Sequence, residues 1–275
     1  MTNTALPAPG KDSFNLTSYD LMKAIAVLLM IVDHIGYYFY PDEMWFRVFG
    51  RLCVPIWFFL VGYARSRDLS PPIWIGAGLL VLVSMGAGQS VFPVNVLGTM
   101  IAIRLVIDPV MKMMTQNAQA FMAFCLVLLL LALPSYAYTE YGTQGLLLAI
   151  FGYIMRNDPQ IPGFSGKFSL SNGFCLFTVF TFVVMQELTF GFNTPQFMVL
   201  GAGIAAVCLV LTGFRPAELP ELTRRLPAPA TFLLRLFGRR TLEIYVIHLI
   251  LFKILAAILD PERFAFLQWT WFFTR

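Results

Sequence analysis

Lys23 and His34 are two residues whose types and spacing could support chemistry at a single site. Eleven helical steps of about 100° come to roughly 1100°, which is within about 20° of three full turns. Both side chains therefore lie on one face of a predicted helix, separated by a rise of about 16 Å. Histidine is the usual general base near neutral pH. The spacing predicts a cationic residue and a base aligned along one helix.

The neighbours of these two residues allow more than one interpretation. Asp20 lies one turn before Lys23 and could form an ion pair with it. Alternatively, Asp20 and Lys23 lie at the membrane interface and extend to the lipid headgroups. His34 directly follows Asp33 and is one of only two histidines in the chain, so we favour a functional role for it.

A second predicted helix carries Arg47 and Arg51, which are four residues apart and share one face. Arg47 is expected near the interface, with Arg51 about one turn deeper. A buried arginine stays charged and needs an acceptor, and Asp33 on the preceding helix is the candidate. The contact is either part of a site or a structural ion pair between two helices. Pro55 is expected to kink or loosen this helix.

Two further groups of charged residues follow. Arg65 and Arg67 close the second helix, where they could bind phosphates. Arg104 and Asp108 are four residues apart, which suits an intrahelical ion pair as well as a role in a site.

The last apolar segment carries Glu243, Tyr245 and His248, with Tyr245 and His248 about one turn apart. His248 is either a partner in a hydrogen bond between helices or a member of the site. Lys253 is expected to extend its ammonium group to the membrane interface.

Composition indicates the class of protein that carries these residues. The 275-residue chain is 58% hydrophobic and 12% charged, with a mean hydropathy of +0.74. Soluble domains carry about 25% charged residues, so this chain lacks the polar surface of a water-soluble globule. In lipid the backbone must satisfy its own hydrogen bonds, which favours helices. The prediction is an all-α, polytopic transmembrane helix bundle.

Apolar runs of about 17–25 residues are long enough to cross a membrane as helices. We predict about nine membrane helices and one transmembrane domain over residues 18–275, after a cytoplasmic N-terminal tail at 1–17. The run 264–273 is too short to span and suits the membrane interface. The nine candidate runs, of which the sixth is the shortest, are 20–40, 46–64, 72–90, 93–111, 118–137, 141–155, 171–189, 196–213 and 241–259.

Positive charge predicts the orientation, because Lys and Arg concentrate in cytoplasmic connections. With nine helices, the connections near 41–45, 91–92, 138–140 and 190–195 contain neither residue type. The N-terminus is therefore expected in the cytoplasm and the C-terminus outside. The basic connection 214–240 either sets topology and touches anionic lipid or contributes to an anionic cofactor site. The positive residues on the N-terminal side are Lys11, Arg65, Arg67, Lys112, Arg156, Lys167, Arg215, Arg224, Arg225, Arg235, Arg239 and Arg240.

Several classes of site and partner are not expected. The four cysteines lie alone in or beside apolar runs, without a pair or spacing typical of metal ligands. We therefore expect no metal site. A formal charge of +4 is weak evidence for any partner. We expect membrane lipid as a partner, and no nucleic acid.

Three segments resemble TraX-type proteins, a family named for conjugal-pilin N-acetylation. They are 20–36, with Asp-His-Ile-Gly; 49–63, with Gly-Arg-x-x-x-Pro-Ile-x-x-Phe-Leu; and 240–248. The same segments look like a remote version of the wider transmembrane acyltransferase superfamily. Lys23 stands where that superfamily usually has Arg, and its usual Ser is missing from 58–63.

The resemblance implies a membrane-embedded acetyltransferase in the bacterial inner membrane, with acetyl-CoA as donor. The acceptor would be an amine or hydroxyl on the outer side, such as a pilin-like peptide or a surface glycan. On this hypothesis His34 is the general base, Asp33 orients the imidazole or anchors Arg51, and Arg51 stabilises the developing oxyanion. The expected cofactor-binding residues are Lys23, Asp20, Arg65 and Arg67, and the chain could form a homo-oligomer.

Two alternatives come from other functional classes. Buried Asp, His and Arg residues also form proton relays, so a proton-coupled transporter is one. Transporters often carry paired halves with interrupted helices, and we find no such repeat. The other is a structural component of an export or conjugation apparatus, which would tolerate loss of both histidines.

Overall fold

The computed structural model describes residues 14–164, 170–264 and 266–272. Lys11, Lys167 and most of the predicted tail lie outside these ranges, as do residues 265 and 273 of the predicted interfacial run. In the described ranges the chain forms helices and short connections, and no β-sheet. The helices are α1 (Ser18–Phe39), α2 (Trp45–Gly50), α3 (Cys53–Tyr63), α4 (Pro71–Gly86), α5 (Val96–Met114), α6 (Ala118–Leu130), α7 (Ala132–Ser135), α8 (Gly142–Asn157), α9 (Leu170–Phe190), α10 (Thr194–Thr212), α11 (Pro220–Arg225), α12 (Ala228–Arg239) and α13 (Thr241–Leu259).

Five segments of the described chain are long and apolar enough to cross a membrane. They are α1, the α2–α3 segment Trp45–Tyr63, α9, α10 and α13. The all-α, multi-pass membrane architecture is therefore confirmed. The other four predicted spans correspond to α4, α5, α6 and α8. Of these, α4 and α8 have 16 residues and α6 has 13, while α5 carries three charged side chains. The count of nine stays a prediction.

Pro55 accounts for the break between α2 and α3. Proline has no amide hydrogen to donate, so it leaves the carbonyl of Arg51 without its usual partner four residues on. The chain tightens here, with Leu52 donating to the Phe49 carbonyl at 3.2 Å and Val54 to the Arg51 carbonyl at 3.2 Å. The predicted effect of Pro55 is thus confirmed, and Arg51 lies at the break rather than inside a continuous helix.

Glycines allow α3 and α8 to pack with their backbones in contact. A Cβ atom at Gly62 would lie 1.7 Å from the Ala149 carbonyl oxygen, and one at Gly152 would lie 2.1 Å from the Phe59 carbonyl oxygen. Small residues permit this close approach between membrane helices. Most of α8 is buried. It therefore forms the centre of one half of the bundle.

The other half of the bundle is organised around α1, which packs against α2, α3, α12 and α13. Thr17 and Asp20 form a capping box that begins α1. A Cβ atom at Gly238 of α12 would lie 2.6 Å from the backbone of Asp20, so these two helices are in close contact. This packing fixes α1, which carries Lys23 and His34.

Candidate functional site

The two histidines of the chain meet between α1 and α13. Nδ1 of His34 lies 2.7 Å from Nε2 of His248. The ring centroids are 5.0 Å apart and the interplanar angle is 23°, so the rings meet edge to edge. His248 therefore forms the hydrogen bond between helices that was one of its two expected roles, and its role in the site stays a prediction.

Backbone contacts assign the tautomers of this pair. Nδ1 of His248 lies 2.7 Å from the Ile244 carbonyl oxygen, which can only accept, so this nitrogen carries the proton. In a neutral ring Nε2 of His248 is then an acceptor, and Nδ1 of His34 donates to it. Nε2 of His34 keeps its lone pair and makes no hydrogen bond within the described chain. The arrangement leaves one oriented, basic nitrogen on α1.

Asp33 lies between two arginines of the α2–α3 segment. Its carboxylate is 2.9 Å from Nη1 of Arg47 and 3.3 Å from Nε of Arg51. The predicted contact between Asp33 and Arg51 is therefore confirmed. Arg47, expected near the interface, is instead buried and also donates to the Asp33 carbonyl at 3.0 Å. Arg51 also donates to the hydroxyl of Tyr141 and lies over the ring of Phe190.

A cavity of about 330 Å³ lies beside the two histidines and beside the ion pairs that Asp33 forms with Arg47 and Arg51. This volume is near the lower end of the range of about 300–1,000 Å³ for small-molecule sites. His34, Asp33, Arg47 and Arg51 line it, so the structure brings together all three predicted catalytic residues. Ring and amide side chains form a further part of the wall: Tyr37, Tyr38, Gln89, Asn95, Tyr136, Tyr141, Gln186, Phe190 and Tyr245. We call this space the small cavity.

Lys253 lies at another part of the small cavity, and the prediction that it extends to the interface is wrong. Its side chain is buried, and Nζ donates to Oγ of Ser84 at 2.8 Å and to Oε1 of Gln89. Glu140 lines the same cavity. Burial from water raises the pKa of the Glu140 carboxyl, with nearby Lys253 opposing the shift. Polar partners inside the bundle thus replace the lipid headgroups as the environment of Lys253.

A second cavity of about 1640 Å³ opens around the N-terminal part of α1 and the end of α12. Among its lining residues are seven cationic and four anionic side chains, an excess suited to an anionic ligand. We call it the large cavity. Tyr245 lines both cavities, so they adjoin at this side chain. The seven cations are Lys23, Arg65, Arg104, Arg156, Arg215, Arg239 and Arg240, and the anions are Asp20, Asp68, Asp158 and Glu243.

The predicted helix face is therefore divided between two cavities. Lys23 lines the large cavity and His34 the small one. Asp20 lines the large cavity but forms its ion pair with Arg239, at 3.2 Å, rather than the predicted pair with Lys23. Arg239 is closer because α12 packs directly on the start of α1. Glu243 forms an exposed ion pair with Arg240 at 3.0 Å beside the same cavity.

The predicted ion pair between Arg104 and Asp108 needs correction. Arg104 and Asp108 do not pair within α5, because each has a partner in the connection after α3. Asp108 pairs with Arg67 at 3.2 Å, and Arg104 donates to the Asp68 carbonyl at 2.8 Å. Arg67 also donates to carbonyls at the end of α3 and is not among the residues lining the large cavity. Of the two arginines predicted at the cofactor mouth, only Arg65 lines it.

Sequence reasoning missed several residues of the small cavity. Tyr141 and Glu140 lie in the connection before α8, where Tyr141 adopts a left-handed backbone at φ 67°. Gln186 donates to the hydroxyl of Tyr136 at 3.2 Å. Uncharged polar residues carry little signal in an apolar sequence, whereas Glu140 could have been noticed as an acid at the edge of a predicted span.

Comparison with known proteins gives a family. A family model described as TraX protein matches residues 18–200, which include Lys23, Asp33, His34, Arg47 and Arg51. An uncharacterized protein of Rickettsia prowazekii (strain Madrid E) is 27% identical over 145 residues, which are 52% of this chain. The chain spans only 58% of that protein's length. No solved structure matches significantly. Since the family model covers well over half of the sequence, the chain belongs to the TraX protein family.

Proposed function

We propose that this protein is a membrane-embedded acetyltransferase that moves an acetyl group from acetyl-CoA to an amine or hydroxyl acceptor. The observation that carries the proposal is that His34 lines the small cavity, with its ring held through His248 and a free lone pair on Nε2. A positioned base beside a cavity and a buried arginine is what acyl transfer to a neutral nucleophile requires.

The large cavity suits the nucleotide part of acetyl-CoA. That part carries several negative charges, and the lining has an excess of cations that includes Lys23, Arg65 and Arg239. Arginine binds phosphate through two parallel hydrogen bonds. The cavity also exceeds the range of about 300–1,000 Å³ typical of drug-sized ligands, as a long cofactor needs. When bound, acetyl-CoA would supply an activated acetyl thioester.

The route between the cavities passes Tyr245. Lys23 and His34 lie about 16 Å apart along α1, so a long thin arm would connect a nucleotide in the large cavity with the base. Tyr245 lies on the wall of both cavities and would contact such an arm. Lys23 and His34 on α1 would therefore contact two consecutive parts of one ligand.

His34 would take the proton of the acceptor at Nε2 while the new bond from nitrogen or oxygen to the acetyl carbon forms. The carbon–sulfur bond of the thioester then breaks, and the proton passes to the departing sulfur to give the free thiol. His248 holds the ring through Nδ1 and can share the positive charge that develops on it. This type of proton transfer contributes about 10²–10⁴ in rate.

The arginines would stabilise the negative charge that develops on the acetyl oxygen. Arg47 and Arg51 share a single carboxylate, that of Asp33, so the cluster keeps an excess positive charge. A fixed cation in a water-poor site is an effective oxyanion partner. Asp33 anchors Arg51, one of the two roles expected from the sequence, and makes no hydrogen bond to the imidazole of His34 within the described chain.

The proposal includes an orientation. The N-terminus would lie in the cytoplasm of a bacterium and the protein in its inner membrane, so the large cavity would open toward cytoplasmic acetyl-CoA. The small cavity would then lie in the outer half of the membrane. The acceptor would be a pilin-like peptide or a surface glycan, and the chain could act as a homo-oligomer.

The test uses the purified chain in lipid vesicles with acetyl-CoA labelled in the acetyl group. We expect label to reach the protein or an acceptor supplied from membranes of the source cells, with release of one thiol per acetyl group transferred. His34→Ala should abolish both signals without changing membrane insertion. Met198→Ala, at an exposed position of α10, is the matched control. Proton-coupled uptake without acetyl transfer would contradict the proposal and favour a transporter.

A further inference from the structure

Lys253 is a buried cation that the proposed transfer of the acetyl group does not use. The residue is 7% exposed, yet its side chain lines the small cavity. An ammonium group has three donor hydrogens. Two of them bond to Ser84 and Gln89, both of which are uncharged. Within the ranges that the structure describes, no carboxylate lies within ion-pair distance of Nζ.

A buried charge without a counter-ion is costly, because burial removes the water that stabilised it. Ser84 donates its own hydrogen to the Leu80 carbonyl at 2.8 Å, so its oxygen is oriented to accept from Lys253. Nζ also lies 5.8 Å from the centre of the Tyr38 ring. The surroundings thus hold the ammonium group at the cavity wall and leave one donor for a further partner.

The remaining charges of the small cavity favour an anion over a cation. Arg47, Arg51 and Lys253 bring three positive charges to the small cavity, against the two carboxylates of Asp33 and Glu140. Burial raises the pKa of the Glu140 carboxyl, while Lys253 and Arg51 oppose that shift. A second ammonium ion in the small cavity would be repelled by like charges, whereas a carboxylate or phosphate would balance the excess positive charge.

We propose that Lys253 binds a carboxylate or phosphate group of the acyl acceptor. This inference rests on the proposed function only for the statement that the anion belongs to the acceptor. Tyr38, the residue beside Lys253, follows His34 by four positions, which is a rise of about 6 Å along α1. The acceptor would therefore present its nucleophile to His34 and carry its anionic group about one helical turn further along α1.

The binding test does not depend on acetyl transfer. Lysines of the chain in phosphatidylcholine nanodiscs are methylated with formaldehyde and a borane reductant, and the rate at each lysine is read by peptide mass spectrometry. Inorganic phosphate is the anionic probe and glycerol the neutral one. At a phosphate concentration about ten times its dissociation constant, modification of Lys253 should slow about tenfold. Glycerol should have no effect, and exposed Lys112 is the internal reference.

Glu140→Gln separates ligand binding from a structural role. If Lys253 binds an added anion, removing the nearby carboxylate should lower the phosphate concentration that protects it. If Glu140 is instead the structural partner of Lys253, the variant should speed modification, with no protection by phosphate. That second result, or equal rates with and without phosphate in the wild-type chain, would overturn the proposal.

Two further comparisons identify the source of the anion and its link to transfer. Replacing part of the phosphatidylcholine with phosphatidylglycerol should protect Lys253 without added phosphate if a lipid headgroup is the ligand. Protection by free phosphate alone indicates a soluble acceptor, and both results support an anion site. In the transfer assay, Lys253→Gln should raise KM for glycerol phosphate but not for glycerol, whereas an equal change for both would contradict the link to the acceptor.

Discussion

Nδ1 of His34 donates to Nε2 of His248 across 2.7 Å, and this bond links α1 to α13 at the wall of the small cavity. The Ile244 carbonyl fixes the proton on the other side of His248. The Ile244 carbonyl oxygen therefore fixes the direction of both hydrogen bonds. Nε2 of His34 is left as the basic nitrogen. His248 touches no reacting atom in this account, so we treat it as a positioning residue.

His248→Gln should retain more activity than His248→Ala. The glutamine oxygen can take the place of Nε2 and accept the hydrogen bond from His34, whereas alanine leaves the donor without a partner. An unpaired buried donor costs about 1–3 kcal/mol. A cost of that size in the transition state lowers the rate by roughly fivefold to 160-fold. The measurement is kcat for acetyl-CoA consumption in reconstituted vesicles, and equal losses in both variants would rule out a role through the hydrogen bond.

Asp33→Asn should lower the thermal stability of the fold and change the affinity for acetyl-CoA little. The change leaves Arg47 and Arg51 buried beside each other without their carboxylate. Removing one partner of a buried ion pair costs about 3–5 kcal/mol. Thermal unfolding in detergent should show a lower Tm than the wild-type chain. Asp42→Asn, in the exposed connection after α1, is the control, and equal Tm values for both variants would contradict the predicted packing.

Gly62→Ala should weaken the contact between α3 and α8. The new methyl group would meet the backbone of Ala149, which cannot move without separating the two helices. Overpacking costs about 1–3 kcal/mol, and more where the backbone must shift. Gly78→Ala is the matched control, because open space surrounds that position and alanine favours a helix. Detergent unfolding should rank Gly62→Ala below the wild-type chain, and a stable Gly62→Ala variant would contradict the packing.

Lys23→Gln and Arg65→Gln together should weaken acetyl-CoA binding. Both residues line the large cavity, and a hydrogen bond to a charged group contributes about 1.5–3 kcal/mol. Losses of this size raise Kd by about tenfold or more. Equilibrium dialysis with labelled acetyl-CoA gives the value. Arg224→Gln removes an exposed charge on α11 outside the cavity and should leave Kd unchanged. Equal Kd values for all forms would place the cofactor elsewhere.

The parts of the site that follow from local spacing could be predicted from the sequence. The shared face of Lys23 and His34 needs only the helical repeat, and the contact between Asp33 and Arg51 needs only adjacent helices. The pairing of His34 with His248 joins residues 214 positions apart and depends on how α13 packs on α1. Helical spacing shows which side chains can meet, and not which tertiary partner is nearer. Asp20 pairs with Arg239, and Asp108 with Arg67, for this reason.

His34→Asn tests the central claim most directly. The asparagine amide can donate to His248 as Nδ1 of the histidine does, so the link between α1 and α13 is kept while the basic nitrogen is lost. Acetyl-CoA consumption is measured in membranes of the source cells that contain equal amounts of each folded variant. We expect a loss of at least about 10²-fold for His34→Asn. A rate equal to that of the wild-type chain would contradict it.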